Sequence, residues 1–202
     1  GSDVTGDGTA GNPWQTIQYA INNSVGGDVI NVAAGTYNES VVINKSLTLD
    51  GAGPNDTILD GNSATGNYYM VNIQADNVTV KDLAITNPLF SGRADASGVV
   101  WANAGRKSNI HLSNLKIHDI GTATRSPVDF GTFGVNGGPV NGAEVDNLEV
   151  YNIGNADPTA FNVGIFVWGN TPVESANNVN IHDNVVYNIF GSGSSIDGIS
   201  AG

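Results

Sequence analysis

The chain has 202 residues, with 27 glycines, 7 lysines and arginines against 19 aspartates and glutamates, no cysteine, and a formal net charge of −12. That length buries a core in one domain, and the charge argues against nucleic acid as a partner, because phosphate-backbone affinity rests on cationic side chains releasing counterions. Without cysteine no disulfide framework reports the compartment, and no apolar run of about 18 residues is present to insert into a membrane.

In chain order, residues 3–43 read as an N-terminal cap and a first coil. Within "NPWQTIQYAINN" (12–23), Trp14, Ile17 and Ile21, with Gln18 on the flank, form one apolar stripe at helical spacing. Pro13 sits early in that stretch, where a helix tolerates a missing amide donor. A short amphipathic helix there covers the apolar end of whatever follows, as a solenoid requires. "GGDVINVAAGTYNESVVI" (26–43) supplies the opening strands.

From 44 to 202 the sequence repeats. Leu47, Val78, Ile110, Ala143 and Val179 align in one column; Val80, Leu112, Val145 and Ile181 in a second; Ile85, Ile117, Val150 and Val186 in a third. Lys81, Ser113, Asp146 and His182 each follow an apolar residue of the second column, in keeping with the period-two alternation of strands with one buried face. Between the two strands of each unit stands Asp82, Asn114, Asn147 or Asp183, and after the second stands Asn87, Asp119, Asn152 or Asn188. Asn and Asp tolerate a left-handed bend best among non-glycine residues, so these columns are expected to be turns. A third strand is expected after a variable loop, at 70–73, 98–101, 133–136, 164–168 and 197–200. The fold class is therefore all-β: a right-handed single-stranded parallel β-helix with a short N-terminal capping helix, one domain over 1–202. "DGISAG" (197–202) stops within a third strand, so the solenoid is expected to continue further. Its open final coil predicts end-to-end self-association.

Residues 5–62 resemble the start of right-handed parallel β-helix proteins of the pectin-lyase-like superfamily, through Thr16-Ile17-Gln18, Gly27-Asp28, Ala34-Gly35-Thr36-Tyr37 and Asp50-Gly51-Ala52-Gly53. The resemblance implies the fold and leaves activity open, because that superfamily holds lyases, hydrolases, esterases and epimerases beside catalytically silent surface proteins and adhesins. "VDFGTFG" (128–134) resembles the segment carrying a catalytic aspartate in pectin methylesterases, which points to Asp129. Glutamine occurs only at 15, 18 and 74, so the partner segment of those enzymes has no counterpart.

Pectate-lyase-like chemistry needs Ca²⁺ held by several oxygens and an arginine or lysine base. Carboxylates available for it are Asp95, Asp119, Asp129, Asp146 and Asp157, with Asp95, Asp119 and Asp129 the metal candidates. Arg93 and Arg125 lie in the loops near Asp95 and Asp129. Asp129, Arg125 and Asp119 are the catalytic candidates. No cofactor is required by the leading reading, and Ca²⁺ serves the alternative. His111, His118 and His182 follow the coil repeat rather than a metal-ligand spacing.

The variable loops 88–97, 121–132, 154–163 and 189–196 are expected to leave one corner and stack into a wall. That wall and the adjoining third strand bring Phe166, Trp168, Arg93, Arg125 and Phe130 to a groove suited to sugar rings. Sequons begin at Asn22, Asn38, Asn44, Asn55 and Asn77, and in a glycosylating host these are acceptors on exposed turns. The expected function is a secreted or cell-surface module that binds or presents to polysaccharide, or builds an envelope or adhesin layer, without catalysis. The alternative is a polysaccharide-degrading enzyme, a Ca²⁺-assisted uronide lyase. The expected partner is a polysaccharide or cell-surface glycan, and the expected location is extracellular or the cell surface.

Overall fold

The computed structural model describes residues 1–61, 69–87, 100–102, 105–120, 128–130, 137–155, 161–167, 177–191 and 195–201. Their strands pair in parallel, each with its counterpart one coil away. One sheet runs through Val29–Val32, Thr48–Gly51, Val78–Thr86, Ile110–Ile120, Glu144–Asp146 and Asn180–His182. Beyond a bend a further run of rungs stacks Gly35–Tyr37, Thr57–Asp60, the C-terminal parts of the long strands Val78–Thr86 and Ile110–Ile120, Glu149–Asn155 and Val185–Gly191. A second sheet stacks Val41–Ile43, Val71–Ile73, Val100–Ala102, Val128–Phe130, Phe161–Val167 and Ser195–Ala201. Every coil thus contributes a rung to each sheet, and the chain is a parallel β-helix.

The interior follows from the apolar columns. Val78, Val80 and Ile85, their equivalents Ile110, Leu112 and Ile117, and then Ala143, Val145 and Val150 are all buried. Leu83, Leu115 and Leu148 add a fourth column, and the next coil replaces leucine with Asn184. Its amide is satisfied inside the turn, accepting from the Leu148 N–H and donating to the Val145 carbonyl, both at 2.8 Å.

The corners are set by backbone chemistry. Among the described residues, every non-glycine residue with positive φ is Asn or Asp, and all fall into three columns: Asn77, Asn109, Asn178; Asp82, Asn114, Asn147, Asp183; and Asn87, Asp119, Asn152, Asn188. Gly142, at φ +75°, completes the first. The first of these columns was not expected from the sequence; the other two were. Left-handed backbone costs an ordinary residue about 1–2 kcal/mol, whereas the short polar side chains of Asn and Asp compensate locally. Here they bond to their own copies. Asn109 Nδ2 donates to Asn77 Oδ1 at 2.9 Å, Asn114 to Asp82 at 2.6 Å, and Asn152 to Asp119 at 2.8 Å, while Asn188 donates to Asn152.

Two boundaries differ from expectation. The helix spans Ile17–Asn23, so Pro13 precedes it rather than opening it. Thr16 is the N-cap, accepting from the Tyr19 N–H, and the Glu39 carboxylate takes the free Ile17 and Gln18 N–H groups at 2.8 and 2.9 Å. Capping thus comes from the first coil and starts the helix one turn later. Ile17, Ala20 and Ile21 are its buried face. In the fourth rung of the second sheet the strand is Val128–Phe130, so part of the expected 121–132 loop is strand, while the expected strand at 133–136 lies outside the described residues.

Candidate functional site

The asparagine bend at 82, 114, 147 and 183 divides the outer surface of the first sheet into two faces. On the N-terminal side of the bend, Glu144 and Asp146 flank the buried Val145, so both point outward from one strand. Register places His111 beside Glu144 in the preceding coil and His182 beside Asp146 in the following one. The contacts run diagonally. His111 Nε2 lies 2.5 Å from Asp146 Oδ1 and 3.9 Å from Glu144 Oε2. His182 Nε2 lies 3.4 Å from Glu144 Oε1, and its Nδ1 lies 2.8 Å from Asp183 Oδ2.

Asp146 is the anchor of the group. Its burial opposes ionisation, but hydrogen bonds from His111, Ser113 Oγ (2.8 Å) and Asn147 Nδ2 (2.6 Å) outweigh it and hold the carboxyl below its usual range. For His182 the hydrogen bond to Asp183, then that to Glu144, raises the imidazole above its ordinary value. Two coils toward the N-terminus, the same columns hold Lys81 with Asp50 at 2.7 Å and Asp82 at 3.0 Å, a plain ion-pair arrangement.

Beyond the bend the chemistry changes to rings. His118, Tyr151 and Tyr187 occupy one register column, with centroids 4.9 and 5.0 Å apart and planes inclined by 7° at each step. Such spacing is the coil rise imposed on side chains, giving a stacked ladder of aromatic edges. Polar groups line it: Tyr187 donates its hydroxyl to Glu149 Oε1 at 3.0 Å, and Lys116 lies 3.4 Å from Glu149 and 2.7 Å from Asn55 Oδ1. Tyr187 is 45 % exposed.

Of the residues singled out from sequence, Asp119 is a corner residue on this aromatic side. It accepts from Asn152 and His118, and those two bonds hold its carboxyl below the usual range against the opposing effect of burial. Asp129 and Phe166 are register partners in neighbouring coils of the second sheet, and Trp101, which sequence reasoning did not single out, is the next member of that column. Phe130 lies on the same strand as Asp129, paired with Val167. Arg93, Asp95, Arg125, Asp157 and Trp168 lie outside the described residues. The His111, Glu144, Asp146 and His182 group was also missed. Its signal was present, since aligning the outward positions 111/144/180 and 113/146/182 puts the four residues on two parallel diagonals, His111 to Asp146 and Glu144 to His182.

The fold defines the class of this protein, a parallel β-helix. Residues 1–44 match the family model described as "Protein of unknown function (DUF1565)". No curated protein matches the chain. Among solved structures it is similar to pectin methylesterase PemA from Erwinia chrysanthemi, at 12% identity and a TM-score of 0.37, over 89% of this chain and 88% of that one. Among the described residues, no helix is long and apolar enough to cross a membrane.

Proposed function

We propose that the chain is a secreted or cell-surface module whose β-helix binds polysaccharide along its axis, acting by binding rather than by catalysis. The observation that carries this reading is the ladder of His118, Tyr151 and Tyr187, one ring per coil. Coils repeat at the strand spacing of about 4.8 Å, close to the length of one sugar residue in an extended chain. A polysaccharide laid along the axis therefore meets an equivalent aromatic edge at each step, with Asn152, Asn188, Glu149 and Lys116 beside it as hydrogen-bonding groups.

Affinity electrophoresis against neutral and acidic polysaccharides tests the reading, run beside an absorbance assay for unsaturated uronide products. Retardation by at least one extended glycan, reduced in Tyr151→Ala, is expected. Formation of unsaturated product, with or without Ca²⁺, would replace it with the lyase reading.

A further inference from the structure

We propose that Glu144, Asp146 and His182, joined by His111, form a binding site for a divalent transition-metal ion of the zinc type. One donor atom from each of Glu144, Asp146 and His182 lies within 4.8 Å of the other two. His111 Nε2 approaches both carboxylates, at 2.5 and 3.9 Å. Tetrahedral zinc with ligand bonds of about 2.0–2.2 Å requires donors separated by about 3.3 Å. The observed separations bracket that value, so Glu144, Asp146 and His182 need only side-chain adjustment to converge, and His111 approaches the same two carboxylates.

The donor types select the ion. Calcium takes six to eight oxygen ligands, whereas two imidazole nitrogens with two carboxylates suit zinc, nickel or cobalt. The arrangement around His182 is a second, separate indication. A neutral imidazole has one N–H to give, yet this ring has a carboxylate at each nitrogen. With the ring neutral and its proton on Nδ1 toward Asp183, the Nε2 lone pair faces the Glu144 carboxylate, an opposition that protonation of the ring relieves and that a bound cation relieves equally. A cation between them turns that opposition into shared ligation, and Asp183 then acts as the outer carboxylate that fixes the ring and its tautomer.

The site is also held in place. Asp146 is almost fully buried and gripped by Ser113 and Asn147, while His111, Glu144 and His182 keep side-chain exposures of 37, 48 and 39 %, open to an arriving ion. All four side chains stand on rungs of one sheet, the kind of rigid support on which ligand geometry is preserved. Neither this argument nor its test depends on the polysaccharide reading.

Isothermal titration of the untagged, chelator-treated chain with zinc chloride is the experiment, repeated with calcium chloride and followed by the visible spectrum of a cobalt(II) sample. One zinc ion per chain, with a dissociation constant in the micromolar range or below, is the expected result. His182→Ala and Glu144→Gln should each weaken it at least tenfold, Asp183→Asn should weaken it less, and His118→Ala, removing the histidine outside the cluster, should leave it unchanged. Circular dichroism of each variant confirms that the coil persists. The proposal fails if zinc shows no saturable binding, if His182→Ala and Glu144→Gln bind as the parent does, or if calcium binds as tightly as zinc.

Discussion

The two outer faces on either side of Asn114 and Asn147 are made by the same strands, from the same coils, over the same interior. One gathers histidines and carboxylates on parallel diagonals between two columns; the other stacks His118, Tyr151 and Tyr187 straight along the axis. Their difference shows what the solenoid dictates and what it leaves open. Inward positions must be apolar in every coil, because each is packed by the coil before and after it. Outward positions are merely held at the strand spacing, so neighbouring columns can take unrelated chemistry. Histidine illustrates this: in the ring ladder His118 stacks on Tyr151, while His111 and His182 meet carboxylates.

The largest effect expected is one that does not distinguish the faces. Leu112 is fully buried in the core that the two faces share, and Leu112→Ala should cost about 2–5 kcal/mol of unfolding free energy in denaturant titration. Asn114→Ala comes next. It forces alanine into a backbone with φ +49° and removes the bond to Asp82. Together these should cost about 1–3 kcal/mol, and Asn114→Gly should recover the backbone part only. Tyr151→Ala is expected to separate the faces, losing about 0.5–1.5 kcal/mol for each ring pair while zinc affinity stays unchanged. A fall in zinc affinity would show that the bend transmits strain between them.

The smallest effect is a pH dependence. Asp119 has its carboxyl held below the ordinary value of 3.8, chiefly by Asn152 and then by His118. A depressed folded-state pKa contributes stability that is present at neutral pH, begins to fade below about pH 4 and is lost as pH falls through the folded value. Acid unfolding of Asp119→Asn should accordingly be flatter in that window, and the carboxyl carbon shift in the parent should titrate below the unfolded midpoint.

The apolar columns and the second and third corner columns were legible because each repeats one chemical class, apolar in the first case and Asn or Asp with a left-handed backbone in the second. The helix boundary was less so. Pro13 is a real helix-start signal, but the N–H groups at Ile17 and Gln18 are capped by Glu39, a residue whose proximity depends on the first coil closing. Strand Val128–Phe130 was read as loop because three residues of alternation are too short a signal by themselves; pairing with Ile165–Val167 makes them a rung. The zinc-type cluster was hidden for a geometric reason. Its contacts between coils join residues 33 to 38 apart in sequence, and the closest of them run along diagonals between columns, whereas reading down a column compares only like positions.

The corner residues also mark where such a chain can lengthen. From Asn77 to Asp82 to Asn87, and likewise in each later coil, the corners are five residues apart without exception, yet successive copies lie 32, 33 or 36 residues apart. All of the variation in coil length is therefore confined to the stretch outside the corner-to-corner run. An inserted residue between two corners would rotate every following side chain to the opposite side of its strand and break an asparagine ladder; the same insertion in the return stretch disturbs neither. The molecule thus has a fixed ruler of about ten residues per coil and an adjustable remainder. Genetic drift in length can accumulate only in the latter, so related chains should differ in size there while keeping the five-residue beat.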